Sequence, residues 1–281
     1  MAEATHQIGS YSVIVVDDFG PRVLGFRSGD GPEMLVRLGP EATLESPAGT
    51  VHFRGGHRLW VAPEEPRLTH VPDDDPCEIE VDDGHLRIRG PADSAGFAKE
   101  IELWDEDGGL VVEHRLHRVG PVPVTAAPWA ITQLIAGGIA ILPVEELSGS
   151  GYQADRSLVL WPYSRLIDER LEFRDGAVLI AARPGPQTKF GSGPDPGRLG
   201  YFRDGWLFTK TVPPAAGEGP YPDRGAVGQV YVNDAFCELE TLGPLEVMEH
   251  GDVALHRERW QAQECPHLDV ALELTLDREG E

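Results

Sequence analysis

Short runs of alternating apolar and polar residues, cut by turn dipeptides, recur along the chain. Ile79–Val81 and Leu86–Ile88 flank Asp83-Gly84; Leu171–Phe173 and Val178–Ile180 flank Asp175-Gly176; Phe202 and Trp206–Phe208 flank Asp204-Gly205. Alternation with a period of two sends successive side chains to opposite faces of a strand. Asp-Gly supplies the positive φ angles of tight hairpin turns, so each of these triplets predicts a hairpin. Two more are expected: Glu100–Trp104 with Leu110–Leu116 around Asp107-Gly108-Gly109, and Gly228–Val232 with Phe236–Leu242 around Asn233-Asp234.

Helical periodicity is scarce. No window holds three clean helical turns, and only Leu166–Leu171 and Trp129–Ala136 suit a single turn. With 24 prolines and 33 glycines in 281 residues, the chain reads as many strands joined by ordered loops, an all-β antiparallel sandwich or barrel. No boundary or repeat divides it, so residues 1–281 read as a single domain. Arg183–Arg198 and Pro213–Gly225 are rich in Gly and Pro but carry Lys189, Tyr221 and Asp223. They read as site-forming loops.

The segment Val119–Val144 contains no charged residue and is long enough to cross a bilayer. Pro121, Pro123, Pro128, Pro143 and Gly137-Gly138 would break a helix there several times. Two buried strands, Val124–Thr132 and Ile139–Pro143, are expected instead.

Charge narrows the partners. A formal net charge of −23, from 47 acidic and 24 basic residues, argues against nucleic acid and anionic membranes, which need a positive footprint. Only Lys99, Lys189 and Lys210 are lysines. Cys77, Cys237 and Cys265 are isolated and odd in number, which suggests reduced thiols rather than a disulfide framework or zinc site. With no apparent signal peptide, a cytoplasmic location is expected. No His-x-His or HExxH spacing occurs, so no metal and no cofactor are expected. Asp73-Asp74-Asp75 reads as a solvated turn.

Several phrases, taken in order, carry a resemblance. They are Arg54-Gly55-Gly56-His57-Arg58-Leu59-Trp60 with Ala62-Pro63-Glu64, Ala127-Pro128-Trp129-Ala130-Ile131-Thr132, and Leu160-Trp161-Pro162-Tyr163 with Asp168-Glu169-Arg170-Leu171. Tyr221-Pro222-Asp223, Glu238–Pro244 and His256-Arg257-Glu258-Arg259-Trp260 follow. Together they resemble an uncharacterised branch of the galactose mutarotase-like proteins, from about residue 10 to 262. The resemblance implies an antiparallel two-sheet β-supersandwich with a small-molecule saccharide as partner, and aldose 1-epimerase-like chemistry by a carboxylate base and a histidine acid. Glu240 matches the base. Where the histidine is expected the chain reads Pro128-Trp129-Ala130, which leaves His57 as the acid to consider.

The residues themselves frame the alternatives. On the strand Phe236–Leu242, Glu238 and Glu240 share a face with Phe236, at a separation of ~7 Å, either as tuned carboxylates or as solvated ones. His57, Arg54, Arg58 and Glu64 offer an acid, anion clamps and an acceptor; Trp60, Trp129, Trp161 and Tyr163 offer flat faces for a sugar ring. Lys210, in line with Trp206 and Phe208, is either a buried ion-pair partner or a snorkelling stem. Lys189, Tyr221 and Asp223 complete the candidate substrate contacts. His114 alternates with Leu110, Val112 and Leu116 and reads as a core histidine. Beside anomer interconversion stand a non-catalytic carbohydrate-binding protein and a sugar lyase using Lys210.

Overall fold

The computed structural model describes residues 3–144, 152, 156–193, 198–212 and 219–277. The stretch Arg183–Arg198 is not a loop throughout, since Thr188–Ser192 forms a strand paired on both sides; residues 194–197 and 213–218 lie outside the described residues.

All five expected hairpins form, each antiparallel. Asp83, Asp107 and Asp204 take φ of 45°, 50° and 51°, each followed by a glycine of positive φ, which is the geometry that two-residue turns between right-twisted strands require.

The hairpins assemble into two ten-stranded antiparallel sheets. The first runs Glu3–Ile8, Tyr11–Val16, Arg22–Ser28, His57–Ala62, Val124–Ile135, Phe236–Leu242, Gly228–Val232, Thr188–Ser192 and Leu158–Leu160, with Glu246–Met248 added beside Val124–Ile135. The second runs Leu171–Arg174, Ala177–Ala181, Ile139–Pro143, Arg198–Arg203, Trp206–Thr211, Val253–Glu264, Gly109–Arg118, Phe97–Glu106, His85–Arg89 and Glu78–Asp82. A separate hairpin pairs Thr43–Ser46 with Gly49–His52.

The inner faces close on a shared core. Val13, Val15, Phe26, Leu239 and Val230 meet Leu110, Val112, Phe208 and Trp260. Phe26 sets its ring edge-on to Phe208 and to Trp260, with centroids 5.5 Å apart in both cases, an aromatic geometry that adds about 0.5–1.5 kcal/mol per pair beyond area burial.

Trp129–Ala136 is not helical. The uncharged segment instead forms Val124–Ile135 and Ile139–Pro143. The first is longer than expected because Phe236–Leu242 pairs with it as far as Ile135. A nine-residue helix escaped the sequence reading: Leu268–Leu276. It packs Ala271 against Ile141, Ala177, Leu179 and Leu207 on the outer face of the second sheet. Its nine residues are too few for periodicity to stand out, and tertiary packing sustains such a short helix. No helix among the described residues is long and apolar enough to cross a membrane.

Candidate functional site

Strand register builds the site. Glu240 pairs with Ile131 and Gln229, Glu238 with Gln133 and Tyr231, Trp129 with Leu242 and Trp60, and Lys189 with Tyr231. Directly opposed residues share a face, so five neighbouring strands deliver these side chains to the outer face of the first sheet. The intervening Cys237, Leu239 and Thr241 point the other way, into the molecule.

That outer face floors a cavity of about 430 Å³. Its base carries Arg58, Trp60, Trp129, Glu238 and Glu240. Its walls come from Glu41–Leu44 and Phe53, from Glu64 and His70, from Tyr163, and from Gln187, Lys189, Tyr231 and Asn233.

Glu240 is 1% exposed. Its Oε2 accepts from Lys189 Nζ at 2.6 Å and from Trp129 Nε1 at 2.7 Å. The Lys189 ammonium lies 4.6 Å from the ring centroids of both Trp129 and Trp161, where the negative ring faces add to its stabilisation. Glu240 Oε1 has no hydrogen-bond partner among the described residues, an arrangement that buried carboxylates rarely leave unused.

Glu238 Oε1 accepts from Gln133 Nε2 at 2.9 Å and meets Arg58 Nη2 at 3.5 Å. Burial, then the nearby Glu240 charge, push its carboxyl up to about 7 against the pull of Arg58 and Lys189. Arg58 stacks over Trp60 at 4.2 Å and is brought down to about 10 by burial. Trp60 and Trp129 stand edge to face, 5.7 Å apart. Glu64, at the exposed rim, is held below its usual range chiefly by the hydrogen bond from His70, at 3.0 Å.

Two candidates lie elsewhere. His57 is fully buried between the sheets. It pairs with Thr132 rather than with a residue of the cavity face. Its Nε2 meets His114 Nε2 at 2.7 Å and its Nδ1 meets Thr132 Oγ1 at 2.9 Å. Alternation explains the placement: Arg58 and Trp60 have the opposite parity. Lys210 is likewise interior. Its Nζ bonds Glu258 Oε1 at 2.8 Å, the Ala130 and Leu239 carbonyls at 3.0 and 3.1 Å, and Thr132 Oγ1 at 3.1 Å. Trp260 Nε1 donates to the other Glu258 oxygen at 2.9 Å, and Thr241 Oγ1 donates to Glu258 and meets His256 Nε2 at 2.7 Å. His57, His114 and Glu258 lie close enough to be read as metal ligands. The 2.7 Å contact between the two imidazoles is a hydrogen bond, and Lys210 already supplies the cation that Glu258 faces. They form a hydrogen-bonded core network, with His256 Nδ1 left without a partner among the described residues.

Arg54, Tyr221 and Asp223 do not line the cavity either. Arg54 lies over the Phe19 ring at 3.9 Å and pairs with Asp74, while Arg22 bonds Asp73 at 2.6 Å. Within the Asp73–Asp75 turn, Asp73 and Asp74 thus each hold an arginine, while Asp74 and Asp75 remain exposed. Asp223 accepts from Gln229 Nε2 at 2.8 Å, which steadies the strand beneath Glu240. Trp161 acts on the site through Lys189. Gly55 and Gly56 serve packing: a Cβ on either would collide with the carbonyl oxygen of Val36 or Val23.

Sequence reasoning passed over His70, Tyr231, Gln187, Asn233 and Gln133. Tyr231 and Gln133 share the parity of Glu238 across the ladder, a signal that needs the register to be seen. His70 sits in an irregular loop and had none.

The overall arrangement has counterparts among solved structures. A protein of Escherichia coli K12 provisionally named an aldose 1-epimerase superposes with a TM-score of 0.56 at 13% identity, covering 94% of this chain and 99% of its own. A galactose mutarotase-like protein from Lactobacillus casei superposes at 0.54 and 10% identity, covering 93% and 100%. The fold is galactose mutarotase-like. A TPR-domain containing protein of Parabacteroides distasonis superposes with a TM-score of 0.60 at 13% identity, over 99% of this chain and 49% of its own. No family model matches the chain, and no curated protein matches it. At these identities the mutarotase-like likeness concerns architecture, and function rests on the site itself.

Proposed function

We propose that this protein binds an aldose in the cavity and interconverts its anomers, with Glu240 as the general base. The observation that supports this reading is a fully buried carboxylate lining a cavity, with one oxygen held by Lys189 and Trp129 and the other without a partner. A sugar hydroxyl donates to such an oxygen and satisfies it. Trp60, Trp129 and Tyr231 supply flat apolar surface, and Arg58, Gln187 and Asn233 supply polar contacts around it. In the step, Glu240 takes the proton of the anomeric hydroxyl, the C1–ring oxygen bond breaks, and the aldehyde rotates before closing to the other anomer. Polarimetry or NMR of anomer exchange with a panel of aldoses tests it; acceleration by wild type that disappears in Glu240→Gln supports it, and no acceleration of any aldose overturns it.

The ion pair of Glu240 with Lys189 favours a second reading, because it commits one carboxylate oxygen to a protein cation rather than to substrate. In that case the cavity binds a saccharide without turnover, and calorimetry shows affinity where polarimetry shows no rate. The lyase alternative needs Lys210 in the cavity, and Lys210 lies between the sheets.

A further inference from the structure

Anomer interconversion needs an acid for the ring oxygen as well as a base, and His57 does not reach the cavity. Beside Glu240 the lining offers one imidazole, His70, and one further buried carboxyl, Glu238. His70 Nε2 is engaged by Glu64 toward the rim, and its ring packs against Trp60 at 5.3 Å. Glu238 stands on the same strand face as Glu240, two residues away, 8% exposed and lining the cavity floor.

We infer that Glu238 is the general acid, paired with Glu240 across the anomeric centre. This rests on the reading of the cavity as an anomer-interconverting site. Two strand steps separate the two residues by ~7 Å. Hydrogen bonds of ~2.7 Å from each carboxyl, plus the short span between two oxygens on one carbon, nearly fill that interval. One carboxyl then addresses the anomeric hydroxyl and the other the ring oxygen of the same C1.

The surroundings divide the two labours. Glu240 faces Lys189 and an indole N–H, both donors to an acceptor-only carboxylate. Glu238 is faced by Arg58 from the His57–Ala62 strand, by Gln133 from Val124–Ile135, by Tyr231 from Gly228–Val232, by Lys189 from Thr188–Ser192 and by Glu240 on its own strand. Tyr163 lines the same cavity from the wall. Arg58 is the nearest cation, and its single contact is long, at 3.5 Å. Burial and the Glu240 charge outweigh it and favour the protonated form near neutrality, the division by which environment assigns acid and base roles to two like groups. The proton balance closes: the hydroxyl proton moves to Glu240, the C1–oxygen bonding pair goes to the ring oxygen, and that oxygen takes the proton of Glu238. Ring closure reverses each transfer.

The test is the pH profile of the exchange rate in wild type, Glu238→Gln, Glu238→Asp and His70→Gln, with calorimetric affinity for the same sugar. A wild-type rate that falls above pH ~7 is expected, since the acid must be protonated. Glu238→Gln should lose ~10²–10⁴-fold in rate with sugar affinity retained, and its residual rate should lack that basic limb. Glu238→Asp, which keeps a carboxyl, should restore part of the rate and a limb. Loss of the limb in His70→Gln with its retention in Glu238→Gln would overturn the inference, as would a wild-type rate flat or rising from pH 6 to 9. Wild-type activity lost in Glu240→Gln but intact in Glu238→Gln defeats this inference alone; a wild type that accelerates no aldose defeats the reading beneath it.

Discussion

Lys189 and Glu240, 51 residues apart in the chain, meet at 2.6 Å where the wall of the cavity joins its floor, with the ammonium 4.6 Å from the ring centroids of Trp129 and Trp161. Both are nearly without exposure. The pair joins two strands separated by the Gly228–Val232 strand, so one ion pair holds the width of the site together.

Removing one partner isolates the other. Lys189→Met leaves Glu240 buried without its cation, and a broken buried pair costs about 3–5 kcal/mol. The expected outcome is a lower Tm together with weakened saccharide affinity; calorimetry and thermal melting of the same sample check both.

Trp129 serves as donor and wall at once. Trp129→Phe keeps the flat ring and loses the Nε1 bond to Glu240, a hydrogen bond to a charged group worth about 1.5–3 kcal/mol. Saccharide binding should persist while the exchange rate changes, because the electronic setting of Glu240 changes more than the cavity shape. Equal loss of both, by calorimetry and polarimetry, contradicts this.

The interior network predicts a stability phenotype separate from the site. Lys210→Met strands Glu258 among Thr241, His256 and Trp260, and should destabilise the fold by about 3–5 kcal/mol. Replacing both partners, Lys210→Met with Glu258→Leu, should recover much of that loss in denaturant titrations.

Stability should fall with acid below neutrality. Burial, then the neighbouring His114, keeps His57 well below its usual range, and burial brings His114 down to about 4. Their folded values lie below the unfolded one of about 6.5, so the unfolded chain binds more protons as pH drops. The stabilisation is complete above pH ~6.5 and is lost progressively toward pH ~4. Glu238, raised to about 7, acts in the opposite sense over much of the same interval, since the folded chain binds its proton first. His117 is lowered as well, chiefly by burial, and three depressed histidines against one raised glutamate leave a net loss. Tm measured from pH 8 to 5 should decline, and the decline should be shallower in His57→Gln.

Much of the strand inventory is legible because it is local. Asp83-Gly84, Asp107-Gly108 and Asp204-Gly205 mark their turns with residues that tolerate positive φ, and the flanking alternation states which side chains share a face. Glu238 and Glu240 were placed together by that rule alone, as were His114 with the core and Lys210 with Phe208. His57 was not: the run His57–Ala62 is buried at every position, so no exposed residue betrays which parity faces the cavity.

The chain alone therefore specifies hairpins, faces and an architecture, since turn chemistry and period-two alternation act over a few residues. Which strands lie side by side is decided only when the sheets close, because register is a long-range choice made by packing of the common core. That choice put Lys189 rather than Lys210 beside Glu240, turned His57 inward, and brought His70 to the rim. A one-residue slip would have exchanged the cavity face for the core.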